Sequence, residues 1–427
     1  MIHRQIIGIE LNERMCQVSF YDTESREPHT MEADAENYQI PLVIGRKGGS
    51  WIYGKEAQKE EAAGNAVCVY DLLDVAKSRE LIQLGEKMYE GVWLLSMYLQ
   101  LVLKPYENIG AIAFAIPEMD MELSQILKSV GQKLGVSKEQ VYVQDYKESF
   151  CYYMFHQPKE LWQYESALFY CDKNHMRAYM LRKLKTAYGK GYGQFVTVDE
   201  VAGTKIEELE EVYPVLNVER AREADEAFKR LIQGVFERRL VSSVFLTGEG
   251  FESNWYPNSL RTLCNGRRVF QGNNLYSKGA CYAAYNKSIE NAGVPVYLDE
   301  TKMTEQICLK LRMRGMERWY PIVAWGTRWY EGDRQFEVLL EDTEDVELHI
   351  ESLHQKDVEV VRVSLDGLPK RGNYTLRLQV CVTFEDERTC KITWKDVGFG
   401  AFFEPSGFQT ETVIHLGGEY GQFNSLS

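Results

Sequence analysis

Residues 5–21 read QIIGIELNERMCQVSFY, and their apolar side chains alternate in two short runs separated by a polar turn. The alternating residues are Ile7, Ile9, Leu11, Val18 and Phe20. Alternation on both sides of a four-residue turn predicts a strand, a tight turn and a second strand. Residues 167–181 (ALFYCDKNHMRAYML) repeat the same plan, which predicts an internal duplication.

Length and composition limit the class of protein. A chain of 427 residues predicts two or three domains. The 63 acidic and 49 basic side chains give a net charge of −14, which argues against nonspecific binding to nucleic acid or an anionic membrane. The nine cysteines form no CxxC pair, so with no signal peptide we expect reduced thiols in a cytoplasmic protein without structural zinc. The longest apolar run, 91–103, is too short for membrane insertion, which needs ~20 apolar residues, and indicates a buried helix.

The first 290 residues alternate strand and helix patterns, which predicts a mixed α/β domain. Residues 109–117 form a buried strand pattern, 121–134 an amphipathic helix, and 78–104 carry apolar residues at helical spacing. Beyond about residue 290 the pattern changes to strands with period-two alternation. These strand-like runs are 336–340, 346–350, 358–365, 374–384 and 389–394. We therefore expect a β-sandwich as a second domain.

Several short motifs, taken in chain order, carry a family resemblance. They are LTGEG at 246–250, GAC at 279–281, VPVYLDE at 294–300, VSLDGLP at 363–369 followed by Arg371-Gly372, and KDVGFG at 395–400. Together with the opening hairpin, they resemble the actin-like ATPase superfamily, and most closely the seventy-kilodalton heat-shock chaperones. The resemblance implies an α/β actin-like (ribonuclease H-like, duplicated) two-lobed nucleotide-binding domain over 1–292 and a linker over 293–300. A β-sandwich like the chaperone substrate-binding domain would follow over 301–427, without the helical lid.

The first phosphate loop of that family, Asp-Leu-Gly-Thr-Thr, corresponds here to residues 10–14 (ELNER). Asn12 replaces the glycine that lets the backbone approach a phosphate. Glu13 replaces a hydroxyl residue, and one carboxylate ~4 Å from a phosphate costs about 4 kcal/mol at an effective dielectric of about 20. Arg14 could offset part of that repulsion.

The remaining catalytic positions also depart from the family. The second phosphate loop corresponds to residues 172–177 (DKNHMR), in which the glycines are lost but Asp172 is kept and could hold Mg²⁺ through water. The resemblance places Leu73 at the family's lysine, Asp145 at the glutamate that positions water, and Glu252 at the adenine-stacking arginine. Phosphoryl transfer depends on positioning and charge stabilisation, so these changes predict loss of hydrolysis.

The candidate site residues follow from this alignment, with alternatives left open. The nucleotide-binding positions, if binding is retained, are Glu10, Asn12, Glu13, Arg14, Asp145, Asp172, Gly248 and Gly250. Glu10 and Asp172 are either metal ligands or solvated turn residues, and the two glycines are explained equally by a tight turn. The candidate peptide-binding residues Trp319, Tyr320, Trp325 and Trp329 are either partner contacts or sandwich core.

The sequence favours a chaperone-like pseudo-ATPase that binds or scaffolds a protein or peptide. The alternatives are a divergent chaperone that still hydrolyses Mg-ATP slowly and an actin-like structural protein. Bound ATP or ADP with Mg²⁺, and no cofactor at all, both remain open. We expect a protein or peptide partner, no nucleic acid and no membrane insertion, and the sequence does not indicate the oligomeric state.

Overall fold

The computed structural model describes residues 4–33, 37–85, 87–172, 175–187, 194–207, 218–289, 293–341, 345–372 and 374–417. The chain divides into two compact units. The first unit comprises Met1–Arg182 and Val198–Val294, and the second comprises Lys183–Thr197 and Pro295–Ser427. The segment Lys183–Thr197, expected within the first domain, therefore belongs to the second unit. No helix in the described part of the chain has the length and apolar composition needed to span a bilayer.

The first sheet forms around the opening hairpin. Its strands are β1 (Gln5–Leu11), β2 (Met15–Asp22), β3 (Glu27–Thr30), β4 (Ile40–Pro41), β10 (Ile109–Ile116) and β11 (Val141–Asp145). The strand order is β11-β10-β1-β2-β3, and β4 pairs with β2. β1 runs antiparallel to β2 and parallel to β10, and β10 runs parallel to β11. The apolar β10 is central and buried, as its continuous pattern predicts.

The rest of this part of the chain consists of helices and two small sheets. The helices are α1 (Gly54–Ala62), α2 (Leu72–Ser78), α3 (Gly91–Val102), α4 (Met121–Lys133) and α5 (Tyr146–Phe155). The small strands are β5 (Ile44–Lys47), β6 (Ser50–Tyr53), β7 (Val67–Val69), β8 (Leu81–Leu84) and β9 (Lys87–Glu90). The helical prediction for 78–104 is wrong over its first part, because β8 and β9 pair as a hairpin instead. Leu81 and Met88 are exposed there, so helical spacing did not reflect a buried helix face.

The second sheet starts from the second predicted hairpin. Its strands within the first unit are β12 (Glu165–Asp172), β13 (His175–Lys183), β14 (Phe195–Lys205), β15 (Val241–Thr247) and β16 (Arg268–Gln271). The division between the units cuts β13 after Arg182 and β14 after Thr197. The associated helices are α6 (Val218–Phe236), α7 (Pro257–Leu263) and α8 (Leu275–Ser288). α8 packs against α5 and β1.

The two sheets share one strand order. The second sheet reads β16-β15-β12-β13-β14, and the first reads β11-β10-β1-β2-β3. In each sheet the hairpin's first strand is antiparallel to its hairpin partner and parallel to the strand on its other side. The repeated sequence pattern at 5–21 and 167–181 thus corresponds to a repeated topology.

The second unit contains two four-stranded antiparallel sheets that share one apolar core. Their strand orders are β19-β18-β21-β22 and β20-β23-β24-β25, built from β18 (Glu305–Met313), β19 (Met316–Val323), β20 (Arg334–Leu340), β21 (Asp345–Ser352), β22 (Val358–Ser364), β23 (Leu376–Phe384), β24 (Thr389–Asp396) and β25 (Gln409–His415). Leu309 and Leu348 from one sheet pack in the same cluster as Val380 and Trp394 from the other. This arrangement is a β-sandwich.

The segment expected to be a linker at 293–300 is largely packed. β17 (Val296–Tyr297) pairs in parallel with Phe195 and Val196 within the second unit. Leu298 is buried beside Phe195 and Leu353. The apolar side chains that suggested a chaperone linker are thus used in the packing of the second unit, and the boundary between the units lies at Val294.

Two of the motifs that carried the resemblance meet in a buried ion pair. Arg371 donates to both carboxylate oxygens of Asp396 at 3.1 and 3.0 Å. Asp396 is fully buried and also accepts backbone hydrogen bonds from Gly398 and Ser406. Burial alone would raise the pKa of Asp396, but its hydrogen bonds from Ser406 and Gly398 and from Arg371 lower it to about 2. The pair therefore fixes the turn that follows β24.

Replacing Arg371 with alanine should lower the free energy of unfolding of the second unit by about 3 kcal/mol, because it leaves a buried carboxylate without its cation. Urea unfolding, with hydrogen exchange of the β24 amides to localise the effect, measures the change. Lys391→Ala is the matched control, since it breaks the partly exposed Lys391–Glu411 pair at 2.8 Å and should cost less than about 1 kcal/mol. Equal costs for the two variants would contradict this role of Arg371.

Candidate functional site

A cleft of about 590 Å³ in the first unit is lined by the ends of strands from both sheets. The β1–β2 turn and the end of β10 line one side, and the end of β12, the start of β13 and the segment after β15 line the other. Residues 173 and 174 of the predicted second phosphate loop lie outside the described residues. Glu10, Asn12, Glu13, Arg14, Asp172 and Gly248 all line this cleft. The structure therefore brings together six of the eight residues proposed as nucleotide-binding.

Asn12 caps its own turn. Its side-chain oxygen Oδ1 accepts hydrogen bonds from the backbone N–H groups of Arg14 at 2.9 Å and Met15 at 3.0 Å. Its Nδ2 faces the Tyr146 hydroxyl at 3.4 Å. Asparagine commonly closes a turn in this way. Because these backbone donors already have an acceptor, a phosphate group could use them only by displacing the Asn12 side chain.

Arg14 lies between two carboxylates from the second sheet. Its Nη2 contacts the oxygens of Asp172 at 3.0 and 3.2 Å. Its Nη1 contacts Glu249 Oε2 at 3.1 Å. One guanidinium from the β1–β2 turn thus ties together the end of β12 and the turn after β15. All three side chains remain more than two-fifths exposed, so the contact is screened and depends on ionic strength.

The other lysine and arginine side chains that line the cleft are also paired. Lys77 contacts Asp120 at 2.6 Å, and Arg177 contacts Glu118 at 3.1 Å. The second pair, like the Arg14 pairs, joins a residue beside the first sheet to one in the second. Seven carboxyl-bearing residues and three such cations line the cleft. A polyphosphate would meet an excess of negative charge there, which disfavours its binding.

Glu10 is buried at the base of the cleft. Tyr146 donates a hydrogen bond to its Oε1 at 3.0 Å, and the Gln17 amide nitrogen can be oriented to lie 3.3 Å from Oε2. Tyr146 in turn stacks on Tyr276, with ring centroids 3.8 Å apart. Burial raises the pKa of Glu10 from 4.5 to about 8, although hydrogen bonds from Tyr146 and the Ser277 backbone partly oppose the shift. Glu10 is therefore mostly protonated at neutral pH.

These surroundings disfavour the metal site proposed for Glu10 and Asp172. A protonated carboxyl is a poor ligand for a divalent cation, and both oxygens of Asp172 already face Arg14. Within the described ranges, no group of three or more His, Cys, Asp or Glu side chains is arranged to hold a metal ion.

The two candidate glycines are required for packing. Gly248 has φ +101°, and a Cβ there would lie 2.3 Å from the Cys171 carbonyl oxygen. A Cβ on Gly250 would lie 2.1 Å from Cys171 Sγ. Each glycine therefore lets the turn after β15 approach the end of β12. Their presence is explained without a nucleotide, which was one of the two interpretations of the sequence.

At three positions that the resemblance aligns with catalytic residues, the side chain has a structural contact of its own. Asp145 caps helix α5 through a hydrogen bond from the Glu148 backbone N–H at 2.7 Å and does not line the cleft. Leu73 lines the cleft as a buried apolar side chain. Glu252 accepts a hydrogen bond from Asn273 at 3.1 Å.

The four aromatic residues proposed for peptide binding do not form one patch in the second unit. Trp319 stacks on His349 with ring centroids 3.3 Å apart, and its neighbour Tyr320 is 47% exposed. Trp325 packs against Phe195 and donates to the Glu351 carbonyl oxygen at 3.1 Å. Trp329 packs against the sandwich core. Trp325 and Trp329 are thus mainly structural, and Trp319 and Tyr320 lie on the outer part of the sandwich.

Sequence reasoning missed Glu249 and Tyr146 as parts of the site. Both lie beside residues that it selected, Gly248 and Asp145. No local pattern indicates either residue. The contact of Glu249 with Arg14 and that of Tyr146 with Glu10 each join residues that lie far apart in the sequence.

Comparison with known proteins places the chain in a family whose function is unknown. Residues 26–300 match the C-terminal region of a family of unknown function, DUF5716. The chain belongs to this family. Residues 302–416 match a separate domain of unknown function, DUF8552. The boundary between the two matches lies close to the boundary between the structural units. No curated protein matches the chain.

The buried Glu10 carboxyl should make stability depend on pH. Its pKa is raised on folding, so between about pH 4.5 and 8 the native state binds a proton that the unfolded state lacks. Stability should therefore fall as pH rises through this window, by up to about 1.4 kcal/mol per pH unit, and level off above it. Urea unfolding at pH 5, 6, 7 and 8 would measure this slope.

Glu10→Gln keeps the shape of the side chain and cannot ionise. We expect the free energy of unfolding of this variant, minus that of the native sequence, to increase with each step from pH 5 to pH 8. Glu13→Gln, which alters the exposed carboxylate of the same turn, is the control and should leave the slope unchanged. A constant difference between Glu10→Gln and the native sequence at every pH would contradict a protonated Glu10.

Proposed function

We propose that the first unit is a degenerate member of the actin-like ATPase superfamily, of the heat-shock-chaperone kind, and that it does not hydrolyse ATP. The protein then acts as a binding or scaffold module for a protein or peptide in the cytoplasm. The shared strand order of the two sheets supports the duplicated actin-like assignment. The nine free cysteines fit a reducing compartment.

The observation that carries this proposal is the pairing of Arg14 with both Asp172 and Glu249. By the resemblance, the β1–β2 turn and the β12–β13 turn are the two phosphate loops. The Arg14 guanidinium extends from the first loop to Asp172, the first residue of the second loop, where a family member would hold phosphate. Asn12 supplies the acceptor that satisfies the turn's backbone donors. Side chains of the protein thus take the place of a bound phosphate: Asp172 and Glu249 are the anions that contact Arg14, and Asn12 accepts the hydrogen bonds of the turn's backbone.

The charge of the cleft supports the same conclusion. ATP bound with Mg²⁺ still carries net negative charge and would have to compete with Asp172 and Glu249 for Arg14. Lys77 and Arg177 are already paired with Asp120 and Glu118. Hydrolysis also requires a positioned water and stabilisation of the transferred phosphoryl group. The aligned positions Leu73 and Asp145 supply neither, being a buried apolar side chain and a helix cap.

The second candidate, a divergent chaperone that hydrolyses Mg-ATP slowly, is favoured by one observation. The cleft keeps a volume of about 590 Å³ and retains Asp172 at its edge. The third candidate, an actin-like structural protein, is disfavoured by the β-sandwich that forms the second unit. The nucleotide experiment below separates the first candidate from the second.

Millimolar Mg-ATP or Mg-ADP should leave the melting temperature of the purified full chain unchanged. A ligand present at 100 times its dissociation constant would stabilise the native state by ~2.7 kcal/mol, a shift of a few degrees. Differential scanning fluorimetry measures the shift, with an ATP-binding seventy-kilodalton chaperone as the positive control. A shift of several degrees together with release of inorganic phosphate would support the slow ATPase instead.

Arg14→Ala tests whether the carboxylates of the cleft repel nucleotide even when the Arg14 side chain no longer occupies the space between them. The variant leaves Asp172 and Glu249 without their shared cation, so we expect it to bind Mg-ATP no better than the native chain. Arg79→Ala is the matched control, because it removes an exposed arginine paired with Glu122 at 3.2 Å outside the cleft. Mg-ATP binding gained in Arg14→Ala but not in the control would show that Arg14 alone blocks a cleft otherwise able to bind nucleotide.

A further inference from the structure

The turn between α7 and β16 contains an asparagine followed by a glycine, Asn265 and Gly266. It is the one Asn–Gly pair in the sequence. Both residues are exposed, and they join the end of α7 at Leu263 to the start of β16 at Arg268. Gly266 has φ +72°, and a Cβ placed on it would meet no atom within 4 Å. The Asn–Gly pair therefore lies in solvent rather than against packed side chains.

An Asn–Gly pair carries both reactants of an intramolecular reaction. The backbone nitrogen of the glycine attacks the side-chain carbonyl carbon of the asparagine. The new C–N bond closes a succinimide ring, and the side-chain nitrogen leaves as ammonia together with the proton of the glycine N–H. Water then opens either C–N bond of the ring and leaves aspartate or isoaspartate. Glycine favours the attack because it has no Cβ to crowd the ring and its backbone reaches conformations closed to other residues.

The hydrogen bonds of this turn leave both reacting groups available. Within the described part of the chain, neither the Gly266 backbone N–H nor the Asn265 side-chain amide makes a hydrogen bond. The turn is held through other atoms of its main chain. The Asn265 N–H donates to the Thr262 carbonyl oxygen at 3.4 Å, and Arg267 Nη1 donates to the Asn265 carbonyl oxygen at 3.2 Å. Ring closure therefore breaks no hydrogen bond of either reacting group.

Asn65 provides a comparison within the same structural unit. It is also exposed in the turn after a short helix, α1, but the residue that follows it is Ala66. Its side-chain Nδ2 donates to Glu60 Oε2 at 3.0 Å. The Cβ of Ala66 and this hydrogen bond both oppose ring closure at Asn65. The two asparagines thus differ in the features that the reaction requires.

We propose that Asn265 is a site of spontaneous deamidation, at which the chain converts to isoaspartate and aspartate. Each conversion adds one negative charge next to Arg267 and Arg268. Isoaspartate also lengthens the main chain by one carbon, which should remove the hydrogen bond from Arg267. Because β16 runs parallel to β15 and begins beside Ser243, this turn lies at the opposite end of β15 from the cleft. The modification is therefore independent of nucleotide binding.

The test incubates the purified full chain at pH 7 and pH 9 and follows the tryptic peptide 262–267 by mass spectrometry. Digestion at mildly acidic pH prevents deamidation during handling. We expect this peptide to gain the mass difference between an amide and a carboxylic acid, severalfold faster at pH 9 because the attacking nitrogen must lose its proton. Methylation by an L-isoaspartyl methyltransferase identifies the isoaspartate product. The peptide that contains Asn65 should stay unmodified over the same period.

Three variants separate the asparagine from its neighbour. Asn265→Ser removes the reacting amide and should abolish the acidic charge variants that the native chain accumulates on ion-exchange chromatography. Gly266→Ala keeps the asparagine but adds a Cβ, and should slow deamidation severalfold. Asn65→Ser is the matched control and should leave the accumulation unchanged. Circular dichroism and the melting temperature establish that each variant is folded.

A synthetic peptide of residues 262–268 gives the rate in the absence of the fold. The proposal is overturned if Asn265 stays intact in the folded chain, and deamidation of the free peptide would then show that the fold protects the turn. Equal rates at Asn65 and Asn265, or undiminished deamidation in Gly266→Ala, would overturn the role of the glycine. Acidic variants that persist in Asn265→Ser would place the reaction elsewhere in the chain.

Discussion

The contact of Arg14 with both Asp172 and Glu249 joins the two sides of the cleft. One cation on the β1–β2 turn contacts carboxylates at the end of β12 and after β15. The three positions approach one another because both sheets place the ends of their central strands at the same cleft. The Asn12 cap fixes the turn that presents Arg14, and the close approach at Gly248 brings the Glu249 turn against β12. The ion pairs thus link three parts of the chain that lie far apart in the sequence, the β1–β2 turn, the end of β12 and the turn after β15.

The base of the same cleft is built as a protein core. Glu10 is buried and hydrogen-bonded to Tyr146, whose ring stacks on Tyr276. A carboxyl with a pKa of about 8 is neutral under ordinary conditions and adds little charge to the site. The charged side chains of this cleft are therefore its six other carboxylates and its three cations, and each of the three cations is held in an ion pair. Such a cleft is suited to holding a fixed conformation rather than to stabilising a transferred phosphoryl group.

The sequence predicted the elements with strong periodicity and missed those decided by tertiary contacts. The hairpins at 5–21 and 167–181, the buried strand β10 and five of the eight sandwich strands, β20 to β24, follow from alternation or continuous apolar runs. The hairpin of β8 and β9 was predicted as helix, because exposed apolar residues such as Leu81 and Met88 imitate helical spacing. Part of the segment predicted as a linker packs within the second unit, where Tyr297 and Leu298 are buried. The contribution of Glu249 to the cleft depends on a contact across 235 residues, which no local pattern encodes.

The most direct test of the central claim is a crystal structure of the full chain grown with millimolar Mg-ADP. The account predicts that Arg14 remains in contact with Asp172 and Glu249, that Asn12 still caps its turn, and that no nucleotide lies between the two turns. A nucleotide bound there, with its phosphates on the backbone of residues 12–15 and Arg14 displaced from Asp172, would contradict the account. It would establish the cleft as a working nucleotide site.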